Sequence, residues 1–292
     1  MQEWTIGVIG GSGLYAIDAL QAPQWIEIAS PWGAPSDAVL VGRIAGIRFV
    51  FLPRHGRGHR LPPSDVNYRA NIDVLKRAGC TDILAISAVG SLQEELAPGH
   101  FVVVDQFIDR TFARPKSFFG PGMAAHVSMA QPVCERVAGF AAVAADAAGA
   151  QVARGGTYLA MEGPQFSSVA ESRLYRSWGC DVIGMTAMPE AKLAREAELP
   201  YALVGMVTDY DCWRENSAAV EVSAVIAQLQ ANAETARRLV VEFAQALPAG
   251  RPPSPIDTNL DTAIITAPEA RDVGLLAKLD AVCGRLVRKH EP

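Results

Sequence analysis

Asp209 and Asp211, two positions apart in the segment TDYDCW, are the groups in this chain best suited to move a proton. They follow an apolar run, and burying one carboxyl near another pushes a pKa upward. A carboxyl raised in this way can protonate a leaving group. An acidic turn or a helix N-cap would use Asp in the same places, and a cation site would as well, although no matching ligand cluster accompanies the pair. A second dense stretch is RHGRGH, Arg54 to His59. Arg offers a planar fork that fits phosphate oxygens, His adds a donor, and the two glycines let the backbone bend close to a ligand. A solvated basic loop is the plain alternative. Gly10-Gly11-Ser12-Gly13 follows the apolar run TIGVI, so its N–H groups and the Ser12 hydroxyl could wrap an oxyanion. Its spacing matches neither G-x-G-x-x-G nor the P-loop with its Lys, and an ordinary tight turn has the same composition. Ser87-Ala88-Val89-Gly90-Ser91 is built of small residues that leave room for a ligand, with Ser87 as a donor; a simple strand-to-loop turn reads the same way. His126 stands in a Gly/Ala-rich loop, where a lone His is commonly a surface residue.

These residues need elements to position them. Thr5 to Ile9 reads as a short strand, and Ala38 to Ile44 with Ile47 to Leu52 as paired strands around Ala45-Gly46. Tyr68 to Ala78 has helical spacing, with Gly79 as its stop. Asp82 to Ser87 (DILAIS) is nearly unbroken in apolar character, as expected of a strand covered on both faces. Strands are expected at Phe101 to Val104, Thr157 to Met161, Asp181 to Ile183 and Tyr201 to Val207. Helices are expected at Gln131 to Ala148, Ala170 to Trp178, Pro189 to Glu196 and Ala218 to Ala246. Alternation of this kind predicts one α/β domain, a central mixed or parallel sheet surrounded by helices, with function at the carboxyl ends of its strands. Ser12, Arg54-His55, Ser87, Met185-Thr186 and Asp209-Asp211 all sit there. Leu247 to Pro255 (LPAGRPPSP) is a Pro-rich linker, so residues 1–247 form the main domain. Residues 248–292 are that linker and a helical extension packed on the same domain, with an amphipathic helix from Ala267 to Lys289.

The 292 residues carry a formal charge of −5 without a long Lys/Arg cluster, which argues against a nucleic-acid or anionic-membrane surface. An acidic chain that binds phosphate must do so with a few placed donors. The start, MQEWTIGVIGGSG, has no basic n-region or cleavable apolar run. No stretch reaches membrane-spanning length without charge or Pro. Five scattered cysteines with no C-x-x-C argue against a disulfide framework or zinc cage, and a cytoplasmic location is expected.

IGVIGGSGLY, FLPRHGRGHRLPPSDVNYRANI, ISAVGSL, VVVDQFIDRT, MEGPQFSS, IGMTAMPEAKLA and TDYDCW follow one another over residues 6 to about 240. In that order they resemble the trimeric purine nucleoside phosphorylases, and within them the 5′-methylthioadenosine phosphorylases. The resemblance implies a phosphate pocket of Ser12, Arg54, His55, Ser87, Ala88 and Thr186. It implies that Met185 packs against the ribose, Phe166 lies against purine and sugar, Asp209 and Asp211 face the purine edge, and Gly184 belongs to the same substrate-binding set. His126 would reach a neighbour's substrate in a homotrimer, and Val222 and Val225 would line an apolar methylthio pocket. The implied reaction is phosphate-dependent cleavage of 5′-methylthioadenosine to adenine and 5-methylthioribose 1-phosphate, with Asp209 and His55 catalytic. 5′-Deoxyadenosine is a second candidate substrate. Phosphate is a co-substrate, and no metal or organic cofactor is expected.

Two positions depart from the pattern. Gly184 stands where the methylthioadenosine enzymes usually carry Asn and the 6-oxopurine branch carries Gly, and Gln165 replaces a frequent Arg. They leave open a phosphorylase of 6-oxopurine nucleosides or of 5′-methylthioinosine. A nucleoside-binding protein without turnover is an alternative of another class. TDYDCW favours adenine, because a carboxylate accepts from a 6-amino group and meets an acceptor in a 6-oxo group.

Overall fold

Eleven strands form one mixed sheet in the computed structural model, which describes residues 2–11, 13–214 and 222–287. The strands are β1 (Thr5–Gly10), β2 (Gln21–Ile26), β3 (Val39–Ile44), β4 (Ile47–Pro53), β5 (Asp82–Ser91), β6 (His100–Val103), β7 (Gln106–Asp109), β8 (Gln151–Arg154), β9 (Thr157–Ala160), β10 (Val182–Gly184) and β11 (Tyr201–Asp209). The helices are α1 (Tyr68–Arg77), α2 (Glu135–Ala147), α3 (Val169–Ser177), α4 (Ala187–Glu196), α5 (Val222–Ala246), α6 (Val273–Lys278) and α7 (Gly284–Val287). One path through the sheet runs β2-β3-β4-β1-β5-β10-β9-β7, and a branch leaves β5 through β11 to β6 and β8.

Strand β5 is the hub. Its first half pairs in parallel with β1, its length pairs in parallel with β11, and its last two residues pair antiparallel with β10. Successive side chains of a strand point to opposite faces. Ile83 and Ala85 therefore enter a core with Ile72 and Leu75 of α1 and Leu193 of α4, while Leu84 and Ile86 enter a second core with Val137 of α2 and Phe243 of α5. Each of the larger side chains among them contributes about 1.5–3 kcal/mol by burial, and the Ala85 methyl less. Helices on both faces explain why DILAIS lacks polar alternation.

The predicted elements appear with shifts that have local causes. Asn67 caps α1 by accepting from the Ala70 N–H, and Gly79 ends that helix region with φ 81°. Ser87 to Ser91, expected as a possible turn, continues β5, because Ser87 to Gly90 pair with Gly205 to Asp209. Strands β2, β7 and β8 are not anticipated by pattern; β2 is exposed along its whole length and β8 has no fully buried residue, so neither carries an alternating apolar signal. The expected helix over 267–289 is instead two short helices among the described residues. Asp272 caps α6 by accepting from the Leu275 N–H, and the chain turns before Gly284 starts α7.

The segment after Pro248 lies on the same core, with Leu260, Val282 and Cys283 buried in it. Arg251 pins its start, pairing with Asp82 at 2.5 Å and with Asp257 at 2.6 Å. No helix among the described residues is long and apolar enough to cross a membrane.

Candidate active site

The ends of β1, β4, β10 and β11 and the middle of β5 converge on one cavity of about 890 Å³. Gly11 and Gly13 approach it from β1, Arg54 and His55 from β4, Ser87 and Ala88 from β5, Met185 and Thr186 from the turn into α4, and Asp209 and Asp211 from β11. Phe166 and Gly184 line it too, and α5 closes one side with Val222, Val225, Ile226 and Leu229. Ser12 lies outside the described residues. His126 is exposed and is not among the lining residues of this chain; its N–H donates to the Ala263 carbonyl.

At one end the side chains are hydroxyls and cations. Ser87 Oγ and Thr186 Oγ1 stand 3.2 Å apart. Thr is a favoured helix cap, yet Thr186 precedes α4 without a capping bond, which leaves its hydroxyl at Ser87. The buried Tyr158 hydroxyl receives the Thr186 N–H at 3.4 Å and lies within hydrogen-bond reach of the Ser87 side chain. A Cβ on Gly184 would lie 2.0 Å from that hydroxyl. Glycine at 184 is therefore required by Tyr158, whatever it also does for the base.

Arg54 departs from the simple expectation of an open fork. Its Nε and Nη2 donate to Glu190 at 2.8 and 2.9 Å, Nη1 donates to the Ile86 carbonyl, and Nη2 also reaches the Ile9 carbonyl. Glu190 further accepts from the Tyr201 hydroxyl. One Nη1 N–H is left to meet a ligand. His55 departs as well: its Nδ1 lies 2.9 Å from the Leu61 carbonyl, so Nδ1 carries the hydrogen. Burial, with Arg54 beside it, lowers the ring to about 4. The expected donor is thus a neutral ring whose Nε2 accepts.

A second layer fixes the turn that carries Met185 and Thr186. Buried Arg114 donates to the carbonyls of Met185, Met188 and Glu162 and pairs with the Glu162 carboxylate at 3.0 Å. Burial alone would raise Glu162, but hydrogen bonds from Ser64 and the Phe112 and Ala113 N–H groups, with the Arg114 charge, hold it at about 2.

At the other end are the two carboxyls. Asp209 Oδ1 accepts from the Asp211 N–H at 2.7 Å, and Oδ2 accepts from Thr208 Oγ1 at 2.8 Å. Asp211 Oδ2 is buried and makes no well-formed hydrogen bond among the described residues, although the Ser172 and Ser167 hydroxyls lie near the carboxyl and oppose its rise. Burial raises both carboxyls above the ordinary aspartate value. An orphaned buried oxygen costs free energy unless a ligand meets it.

Pattern alone did not single out Tyr158, Glu190 or Arg114, because the role of each depends on a partner far away in sequence; Thr208 stood in the TDYDCW segment, but its bond to Asp209 was not anticipated. Ile226 and Leu229 could have been found, since they continue the helical spacing of Val222 and Val225.

The family model described as "Phosphorylase superfamily" matches residues 5–245. The chain is 59% identical over 285 residues to the S-methyl-5′-thioadenosine phosphorylase of Cereibacter sphaeroides, covering 97% of this chain and 98% of that one. It is similar to the crystal structure of a methylthioadenosine phosphorylase from an antarctic soil metagenomic library, with a TM-score of 0.91, 45% identity, and coverage of 97% and 99%. It is similar also to a mutant adenosine/methylthioadenosine phosphorylase of Schistosoma mansoni in complex with methylthioadenosine, with a TM-score of 0.79, 34% identity, and coverage of 97% and 98%.

Proposed function

The chain belongs to the phosphorylase superfamily, and we propose that within it the protein uses inorganic phosphate to cleave 5′-methylthioadenosine to adenine and 5-methylthioribose 1-phosphate. The observation that carries this reading is the polarity of a single cavity: hydroxyls and a cation at one end, two raised carboxyls at the other, and an apolar helix face alongside.

Glycosidic cleavage passes through an oxocarbenium-like sugar. A phosphate held by Ser87, Thr186, the free Nη1 N–H of Arg54 and the Ala88 backbone offsets that positive charge and then attacks the anomeric carbon. Ser12 joins this set by resemblance. Holding the two reactants together replaces a bimolecular encounter. Met185 and Phe166 border the sugar, and Gly184 lets the chain pass close to it. The departing purine gathers negative charge, and Asp209, protonated on Oδ2, donates to N7. Thr208 can then turn its hydroxyl to the Val89 carbonyl, 3.2 Å away, so no donor is stranded. Oδ2 of Asp211, which makes no well-formed hydrogen bond of its own, accepts from the 6-amino group, which favours adenine over a 6-oxopurine. Val222 and Val225 take the methylthio group. They would take a bare methyl nearly as well, making 5′-deoxyadenosine a second substrate. His126 reaches the 5′ end of a neighbour's substrate in a homotrimer.

The direct test is an assay of the purified protein with 5′-methylthioadenosine, with and without phosphate. Adenine should appear only with phosphate; no adenine in either case would overturn the reading. His126→Ala should raise the KM for the nucleoside, and mixed trimers should share the defect between neighbours. An unchanged KM would remove that role.

A further inference from the structure

Resting on the phosphorylase reading, we propose that His55 selects the anion by accepting a hydrogen bond, so that the cavity takes an anion that brings its own O–H. Monohydrogen phosphate and its arsenic(V) analogue qualify; sulfate does not.

The geometry fixes the tautomer. A carbonyl can only accept, so the contact of Nδ1 with the Leu61 oxygen at 2.9 Å puts the hydrogen on Nδ1. In a neutral ring Nε2 then has a lone pair and no hydrogen. His55 lines the cavity, and no described residue bonds Nε2.

The surroundings oppose a charged ring. His59 stacks on His55 at 4.2 Å with 11° between the planes, and burial lowers His59 as well. Arg54 adjoins it in the loop, and Arg114 adds to the positive field. Arg60, in the same loop, donates to the Ser36 carbonyl. Glu190 of α4 is taken by Arg54 and Tyr201, and Glu162 by Arg114 and Ser64, while Tyr68 of α1 meets Arg114. The raised carboxyl of Asp209 lines the cavity from β11. None of these carboxyl groups bonds His55 to hold an imidazolium.

Two acceptors facing each other in a buried site leave both unsatisfied. Monohydrogen phosphate avoids this by donating its O–H to Nε2. Sulfate carries no proton at neutral pH, so it is accommodated only when the ring takes one from solvent. The proton count then separates the two anions: phosphate arrives with the shared proton, and sulfate binding consumes one from the buffer. Linkage makes sulfate affinity fall about tenfold for each pH unit of rise, as long as the free ring is neutral.

Calorimetric titration of the full-length protein with sodium sulfate and with sodium phosphate, in two buffers of different ionisation enthalpy near about pH 8, counts those protons. We expect about one proton taken up per sulfate and close to none per phosphate. In His55→Gln, whose amide donates at any pH, sulfate should bind without proton uptake. Should that variant not fold, the wild-type proton count decides alone. Sulfate binding without proton uptake, in an enzyme that turns over with phosphate, would overturn the inference and leave the phosphorylase reading intact. Absence of both anion binding and phosphate-dependent turnover would sink the two together.

Discussion

Asp209 is the residue on which the chemistry turns. Both of its oxygens are met from the protein side, by the Asp211 N–H and the Thr208 hydroxyl, while burial keeps the carboxyl protonated to higher pH than an ordinary aspartate. As a general acid it is worth about two to four powers of ten. Asp209→Ala should therefore lower kcat by about that factor with anion binding retained, as steady-state kinetics and anion titration would show. The sign of the pH effect follows from the raised carboxyl: it donates only while protonated, so kcat should fall as pH rises through its value. That limb should be missing from the variant's kcat profile. Gly184 makes a second prediction at this scale. A methyl group there would lie 2.0 Å from the Tyr158 hydroxyl and 2.6 Å from its ring carbon Cζ. Gly184→Ala should cost about 1–3 kcal/mol of stability and raise the KM for phosphate, because Tyr158 must move and it holds the Thr186 N–H. Pairing it with Tyr158→Leu should recover stability but not the phosphate KM. Additive stability losses in that double-mutant cycle would disprove the coupling.

The element that does most for the site is α5. Asn232 on it donates to the Val207 carbonyl at 3.1 Å, just before Asp209, and Arg237 donates to the Gly13 carbonyl at 3.1 Å. One helix is thereby tied to both the purine end and the anion end of the cavity. In its first two turns, ahead of those ties, it presents Val222, Val225, Ile226 and Leu229, an apolar stripe at helical spacing. A hydroxyl introduced there should pair with a 5′-hydroxyl and disfavour a methylthio group. Val225→Ser should narrow the preference for methylthioadenosine over adenosine, measured as a ratio of kcat/KM, by about tenfold or more. An unchanged ratio would mean that the stripe does not read the 5′ group.

Over the whole molecule, the chain uses buried charge to hold distant segments in place, and this sets its pH response. Glu196, at the end of α4, accepts from the Phe118 N–H and the Ser117 hydroxyl, both at 2.7 Å, yet burial pushes its carboxyl up to about 7. A carboxyl whose folded value lies above its ordinary 4.5 binds more protons folded than unfolded between those values. Stability should thus decline as pH rises from about 4.5 to about 7. Denaturant unfolding at several pH values would test this, and Glu196→Gln should remove that part of the decline. Glu162 works in the opposite sense. Held at about 2, it contributes stability in full above its ordinary 4.5 and loses that contribution as pH falls from about 4.5 to about 2.

Much of the fold was legible in the sequence because burial on one or both faces writes a period into it. DILAIS read as a covered strand, Tyr68 to Ala78 as a helix, and Ala45-Gly46 as a hairpin turn, since each signal is local. The residues grouped at strand ends were legible for the same reason, as strand ends are where polar side chains interrupt apolar runs. Strands β2 and β8, which bury little, carried no such period, and the break of the helix expected over 267–289 into α6 and α7 depended on one local cap and one turn. Only the tertiary structure could decide what the functional groups do. Glu190 meets Arg54 from 136 positions away and spends its fork. The Leu61 carbonyl turns His55 from a donor into an acceptor, and Tyr158 dictates glycine at 184. Sequence determined which groups reach the cavity; pairing across distant elements determined their protonation, their free lone pairs and the space between them, because hydrogen bonds and sterics act through space and leave no period along the chain.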